Sequence, residues 1–146
     1  MRGINNRIET DMDIPQAKTK KDIKMRRKNI LLVDNDMSYL FLLSNILEFK
    51  GIEVTKATNG IEAVEMLEKR NFGMMITDFD MPGMNGIELA MKVRELYPDI
   101  HIVMITGELS PDVVEAAANS GISQVLSKPV NVMRVLAVIR SILRMR

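Results

Sequence analysis

The sequence predicts an α/β fold built on a doubly wound parallel sheet, and three features carry that prediction. From Asn29 onward, a short apolar run rich in Val and Ile, a turn, and a longer segment with helical spacing recur five times. Four of the five apolar runs are nearly continuous, as strands covered by helices on both faces require; a sheet with one wet face would alternate. Residues that start and stop helices stand between the runs in the right places.

The first expected strand is Ile30 to Val33. Asp36 then suits the N-cap of a helix containing Tyr39, Leu40, Phe41, Leu42, Leu43, Ile46 and Leu47. These cover more of the helix than one core-facing stripe needs, so part of the excess is expected on the surface. Gly51 ends that helix. Glu53 to Lys56, EVTK, alternates and is read as an edge strand. Asn59 with Glu62, and Asn85 with Glu88, each pair a cap residue with an acid three positions on, the spacing of a reciprocal capping box. Between them lies the strand Met74 to Thr77, and Pro98 stops the helix that includes Met91 to Leu96. Ile100 to Ile105 is the fourth strand, Ser110 followed by Pro111 opens a helix that Gly121 closes, and Gln124 to Leu126 is the fifth strand. A last helix starts near Asn131, with Val132, Val135, Leu136, Ile139, Ile142 and Leu143 at helical spacing. It leaves no room after it for an output domain, so a stand-alone module is expected.

Composition limits the chemistry. A chain of 146 residues, 47% of them hydrophobic, can bury one sizeable core. With no cysteine, disulfides and thiolate metal sites are excluded, and acidic residues must hold any cation. No apolar run approaches the roughly 20 residues that span a bilayer, and the N-terminus lacks the apolar core of a secretion signal. The chain is read as cytoplasmic, without a membrane partner. Its formal net charge of +1 hides a split: residues 1–28 sum to +5 and residues 29–146 to −4. Residues 1–28 are read as a basic, disordered or loosely helical extension, and residues 29–146 as the domain. A charge run alone says little about a partner, so nucleic acid is not expected.

In a doubly wound sheet, ligands bind at the carboxyl ends of the strands. The polar residues there are Asp34, Asn35 and Asp36, then Asp78, Thr106 and Lys128. Carboxylates suit a hard cation such as Mg²⁺, an ammonium and a hydroxyl suit phosphate oxygens, and one carboxylate can act as nucleophile. A Ser–His–Asp arrangement does not fit, because the only histidine, His101, begins a strand. Met81 and Met84 are read as adaptable packing.

The motifs LLVDND, MMITDFDMPGMNG, VMITG and LSKP, in this order, resemble the receiver domains of two-component response regulators. The resemblance covers about Asn29 to Arg144. It implies a flavodoxin-like sheet in the order 2-1-3-4-5. It also implies that Asp78 accepts a phosphoryl group from a sensor histidine kinase or phosphotransfer protein, with Thr106 and Lys128 binding that group. Mg²⁺ would be held by Asp34, Asn35, Asp78 and the backbone carbonyl of Asp80. Lys128–Pro129 would be cis, Gly107 would keep bulk away from the phosphoryl group, and Asp80 and Glu108 would tune hydrolysis. Asp36 remains an N-cap rather than a ligand. Such a protein is a switch with only self-phosphotransfer and self-dephosphorylation, signalling to a downstream protein target. The first helix would meet the kinase, or be covered by the N-terminal tail or by a homodimer partner.

Two residues depart from the pattern. Asn35 replaces an acid that usually touches the metal, so weaker Mg²⁺ binding is expected. Val125 stands where a mobile Tyr or Phe is common, and a stiff β-branched side chain cannot copy its swing. Two alternatives stay open: a pseudo-receiver that works as a phosphorylation-independent interaction module, and a small Mg²⁺-dependent phosphohydrolase with Asp80 as second acid.

Overall fold

The structure, a computed structural model, describes residues 29–144; the basic extension at residues 1–28 lies outside the described residues. Five strands alternate with five helices: β1 (Asn29–Val33), α1 (Met37–Phe49), β2 (Glu53–Ala57), α2 (Gly60–Lys69), β3 (Met74–Asp78), α3 (Gly86–Leu96), β4 (His101–Thr106), α4 (Pro111–Asn119), β5 (Gln124–Ser127) and α5 (Val132–Leu143). All strand pairs are parallel, in the order β2-β1-β3-β4-β5. This is the expected doubly wound α/β sheet.

Side chains alternate across each strand, so a central strand feeds two cores. On one face Ile30, Leu32, Ile76 and Ile105 pack with Leu40, Leu47, Leu136 and Ile139 of α1 and α5. On the other, Leu31, Val33, Met75 and Met104 pack with Ala63, Leu89, Val93 and Ala117 of α2, α3 and α4.

Strands β2 to β5 each run one residue past their expected carboxyl ends. Ladder hydrogen bonds belong to the backbone, so Asp78 pairs with Ile105 and Thr106 with Ser127 although their side chains are polar. The sequence treats β5 as covered on both faces. The order implied by the resemblance instead puts it at the second edge of the sheet, where it lies, and of its four residues only Leu126 is buried.

Most caps form as expected. Asn85 and Glu88 close a full box, with each backbone N–H donating to the other's side chain at 2.8 and 3.0 Å. The Asn59–Glu62 box does not close. Asn59 accepts from the Glu62 N–H, but Glu62 Oε1 instead takes the N–H and the hydroxyl of Thr58 at 2.6 and 3.1 Å, two donors where Asn59 offers one. Asp36 caps α1 by accepting from the Tyr39 N–H at 3.2 Å. Gly51 and Gly121 end their helices with positive φ of 88° and 86°. As anticipated, α1 keeps Phe41 and Leu42 on the surface. No described helix is long and apolar enough to cross a membrane.

Candidate functional site

The strand order brings the ends of β1, β3, β4 and β5 side by side along one edge of the sheet. Asp34 follows β1, Asp78 closes β3, Thr106 closes β4, and Lys128 follows β5. Lys128 reaches back across the edge, its Nζ 3.0 Å from Asp34 Oδ2 and 3.3 Å from Asp78 Oδ1. The strand ends are locked locally: the Lys128 N–H donates to the Thr106 carbonyl at 2.8 Å, and the Lys128–Pro129 bond is cis, as the resemblance implies. Asp34 divides its carboxylate between this ammonium and the Asp36 N–H, which donates to Oδ1 at 2.9 Å.

Both carboxyl groups are buried, with Asp34 3% and Asp78 7% exposed. Burial, and next the charge of Asp34, push the Asp78 carboxyl above its ordinary range, while Lys128 pulls it back. Burial works against the Lys128 ammonium, but its hydrogen bond to Asp34 and the charges of Asp34 and Asp78 outweigh it and hold its pKa above the usual lysine value. The result is a desolvated anionic pair bridged by one cation. Hard, partly compensated oxygens of this kind fit Mg²⁺. Among the described residues, no three His, Cys, Asp or Glu side chains form a metal cluster.

The response regulator receiver domain, as a family, matches residues 30–140. The chain belongs to that family. It is 41% identical over 106 residues to the response regulator receiver protein CpdR of Brucella abortus, covering 70% of this chain and 85% of that one. Against a response regulator receiver protein of Anaeromyxobacter it is 39% identical over 112 residues, 77% of this chain but only 46% of the relative, so it spans about half of that protein. The crystal structure of a CheY-like receiver domain protein from Methanospirillum hungatei superposes with a TM-score of 0.77 at 34% identity, covering 80% of this chain and 93% of that one.

The receiver residues expected from the sequence fall into two groups. Asp34, Asp78 and Lys128 are in contact. Thr106 is buried beside them, but its hydroxyl is engaged by the loop, accepting from the Glu108 N–H at 2.9 Å and donating to the Glu108 carbonyl at 3.4 Å. Asn35 and Asp80 are exposed, and Asp36 is committed to its cap. A Cβ at Gly107 would meet nothing within 4 Å, so packing does not demand its smallness. His101 is exposed at the far end of the sheet, and Met81 is buried core.

Two residues of this receiver site escape the sequence reading. A Cβ on Gly86 would collide with the Asp78 carbonyl, and the Gly86 N–H donates to the Phe79 carbonyl at 2.8 Å, so the start of α3 lies directly against the strand end carrying Asp78. The MPGMNG run is the signal that could have found it. The second is Tyr39, whose ring centre is 4.6 Å from Lys128 Nζ. In the sequence it is one of many apolar residues on α1.

Proposed function

We propose that this receiver is a phosphoryl-accepting switch, in which Asp78 takes a phosphoryl group from a sensor histidine kinase or phosphotransfer protein and the phosphorylated form binds a downstream protein. The observation that carries the reading is the buried Asp34–Lys128–Asp78 contact at the carboxyl edge of the sheet. An oxygen of the Asp78 carboxylate attacks phosphorus. The bond from phosphorus to the donor's nitrogen or oxygen breaks, the donor leaves with the electron pair, and an acyl phosphate remains on Asp78.

Lys128 sits where its ammonium can neutralise the incoming oxygens, and Thr106 can donate its hydroxyl once it releases the Glu108 carbonyl, a long bond at 3.4 Å. Release of that bond couples the chemistry to the loop before α4, the route by which the signal reaches the surface. Val125, half-buried in the second core, does not offer the ring swing common in the family. Asp34, Asn35, Asp78 and the Asp80 carbonyl are the groups that would hold Mg²⁺. When bound, the ion supplies positive charge to the transferring group.

The reading is tested by incubation with acetyl phosphate and Mg²⁺ followed by intact mass. One added phosphoryl group is expected, absent in Asp78→Ala. No added mass at any Mg²⁺ concentration would favour the pseudo-receiver, which Asn35 in place of a third carboxylate supports. Rapid turnover of a phosphomonoester would favour the hydrolase.

A further inference from the structure

Lysine is a flexible stem, and its two contacts at the site do not survive the reaction equally. Asp34 keeps its charge throughout, whereas the charge of the Asp78 carboxylate is replaced by that of the phosphoryl oxygens now bonded to it, so the ammonium must move from one anion to the next. A lysine that exchanges one of its two anionic partners during the reaction needs something else to hold its position, because its flexible stem has many rotamers to explore. The third surface around the Lys128 ammonium is the ring of Tyr39, centred 4.6 Å from Nζ and within the distance at which an aromatic face attracts a cation.

Tyr39 is itself fixed in place. Its N–H donates to Asp36 Oδ1 in the first turn of α1, and its side chain packs against the α1–α5 core. The stretch from Asp34 to Tyr39 thus contributes both an anion and an aromatic wall to the same ammonium. The Tyr39 hydroxyl is buried without a hydrogen-bond partner among the described residues. It is therefore the ring, rather than the phenol, that meets Lys128.

We propose that Tyr39 is a positioning residue for phosphoryl transfer: its ring holds the Lys128 ammonium over the Asp34–Asp78 edge through an interaction that the chemistry at Asp78 leaves intact. This rests on the reading of Asp78 as the phosphoacceptor, and two measurements keep the two claims apart.

The first does not need phosphorylation. In proton NMR of the unmodified protein, the Lys128 ε-methylene protons are expected upfield of the other lysines from the ring current, to stay there in Tyr39→Phe, and to return to ordinary positions in Tyr39→Leu. Ordinary shifts in the wild type overturn the proposal whatever Asp78 does. The second compares rates of Asp78 phosphorylation by acetyl phosphate. Tyr39→Phe should match the wild type, and Tyr39→Leu should react roughly three- to thirtyfold more slowly at saturating donor and Mg²⁺, the range that a partly desolvated cation–aromatic contact allows. A Tyr39→Leu rate equal to wild type overturns the proposal, as does Tyr39→Phe slowed as much as Tyr39→Leu, which would assign the effect to the hydroxyl. A wild type that is not modified at all, with the ring-current shift present, defeats the phosphoacceptor reading and, with it, the positioning role, while leaving the contact standing.

Discussion

The two ends of the sheet differ in kind. At the amino ends of β3 and β4 lies a cleft of about 760 Å³ lined by Arg70, Asn71, Tyr97, His101 and Ile142 among others. Its ion pair, Arg70 to Glu53 at 3.4 Å, joins side chains that are 48% and 57% exposed. At the carboxyl ends, Lys128 meets two aspartates whose side chains are 4% and 8% exposed, at comparable distances. Coulomb attraction is screened at the first end and largely unscreened at the second, where each charge also depends on the others for its solvation. The two ends thus differ in how far their charges are withdrawn from water. Buried charges that compensate one another set the carboxyl edge apart.

The contrast can be broken from the carboxyl end first. Lys128→Met leaves Asp34 and Asp78 buried together without a cation and should destabilise the protein on the order of 3 kcal/mol by urea unfolding at pH 7. Much of that loss should be recovered in Lys128→Met with Asp78→Asn. A cost under about 0.5 kcal/mol would mean that the contact is as weak as a surface pair.

Next is the Mg²⁺ affinity. Asn35→Asp restores a third carboxylate and should tighten Mg²⁺ binding roughly five- to tenfold, about 1 kcal/mol. Equal affinities by titration would show that the amide serves as well as the acid.

A smaller effect is expected from pH. The Asp78 carboxyl is held above its ordinary value by burial and Asp34, so the folded protein binds this proton more tightly than the unfolded chain. Its contribution to stability is present below the unfolded value and declines as pH rises through the folded one. Asp78→Asn should accordingly be more stable than the wild type at pH 7, with the advantage shrinking toward pH 4 in denaturant titrations. The Lys128 shift has the same direction but a different window: its contribution holds below the unfolded lysine value and is lost only in alkali, as pH passes the raised folded one. At the other end, Arg70→Ala should cost the least, within about 0.5 kcal/mol and less in high salt.

The fold was legible because burial on both faces writes itself into strands as unbroken apolar runs, and β1, β3 and β4 obey this closely, while the alternation of β2 marks it as an edge. The apolar run of β5 alone read as covered, because Val125 and Leu126 read as core whether a strand is central or at an edge; only the strand order implied by the resemblance placed it at the edge. Asp34, Asp78 and Lys128 were legible because strand ends in a doubly wound sheet converge whatever their separation along the chain. Tyr39 was not, since apolar helix periodicity cannot say which ring turns toward a lysine 89 positions away in the sequence. Gly86 was hidden for a related reason: its role is a close backbone approach to Asp78, and only the packed helix reveals what a side chain there would strike. The engagement of the Thr106 hydroxyl by Glu108 is a matter of loop conformation, on which strand patterning is silent.

The direct test of the contrast is amide NMR of the full chain with beryllofluoride, a phosphoryl mimic, and Mg²⁺. The largest shifts are expected at Asp78, at Thr106 to Glu108 and at Lys128, with Asn71 and His101 at the amino-end cleft almost still. Shifts centred on that cleft, or none at Asp78, would contradict the contrast.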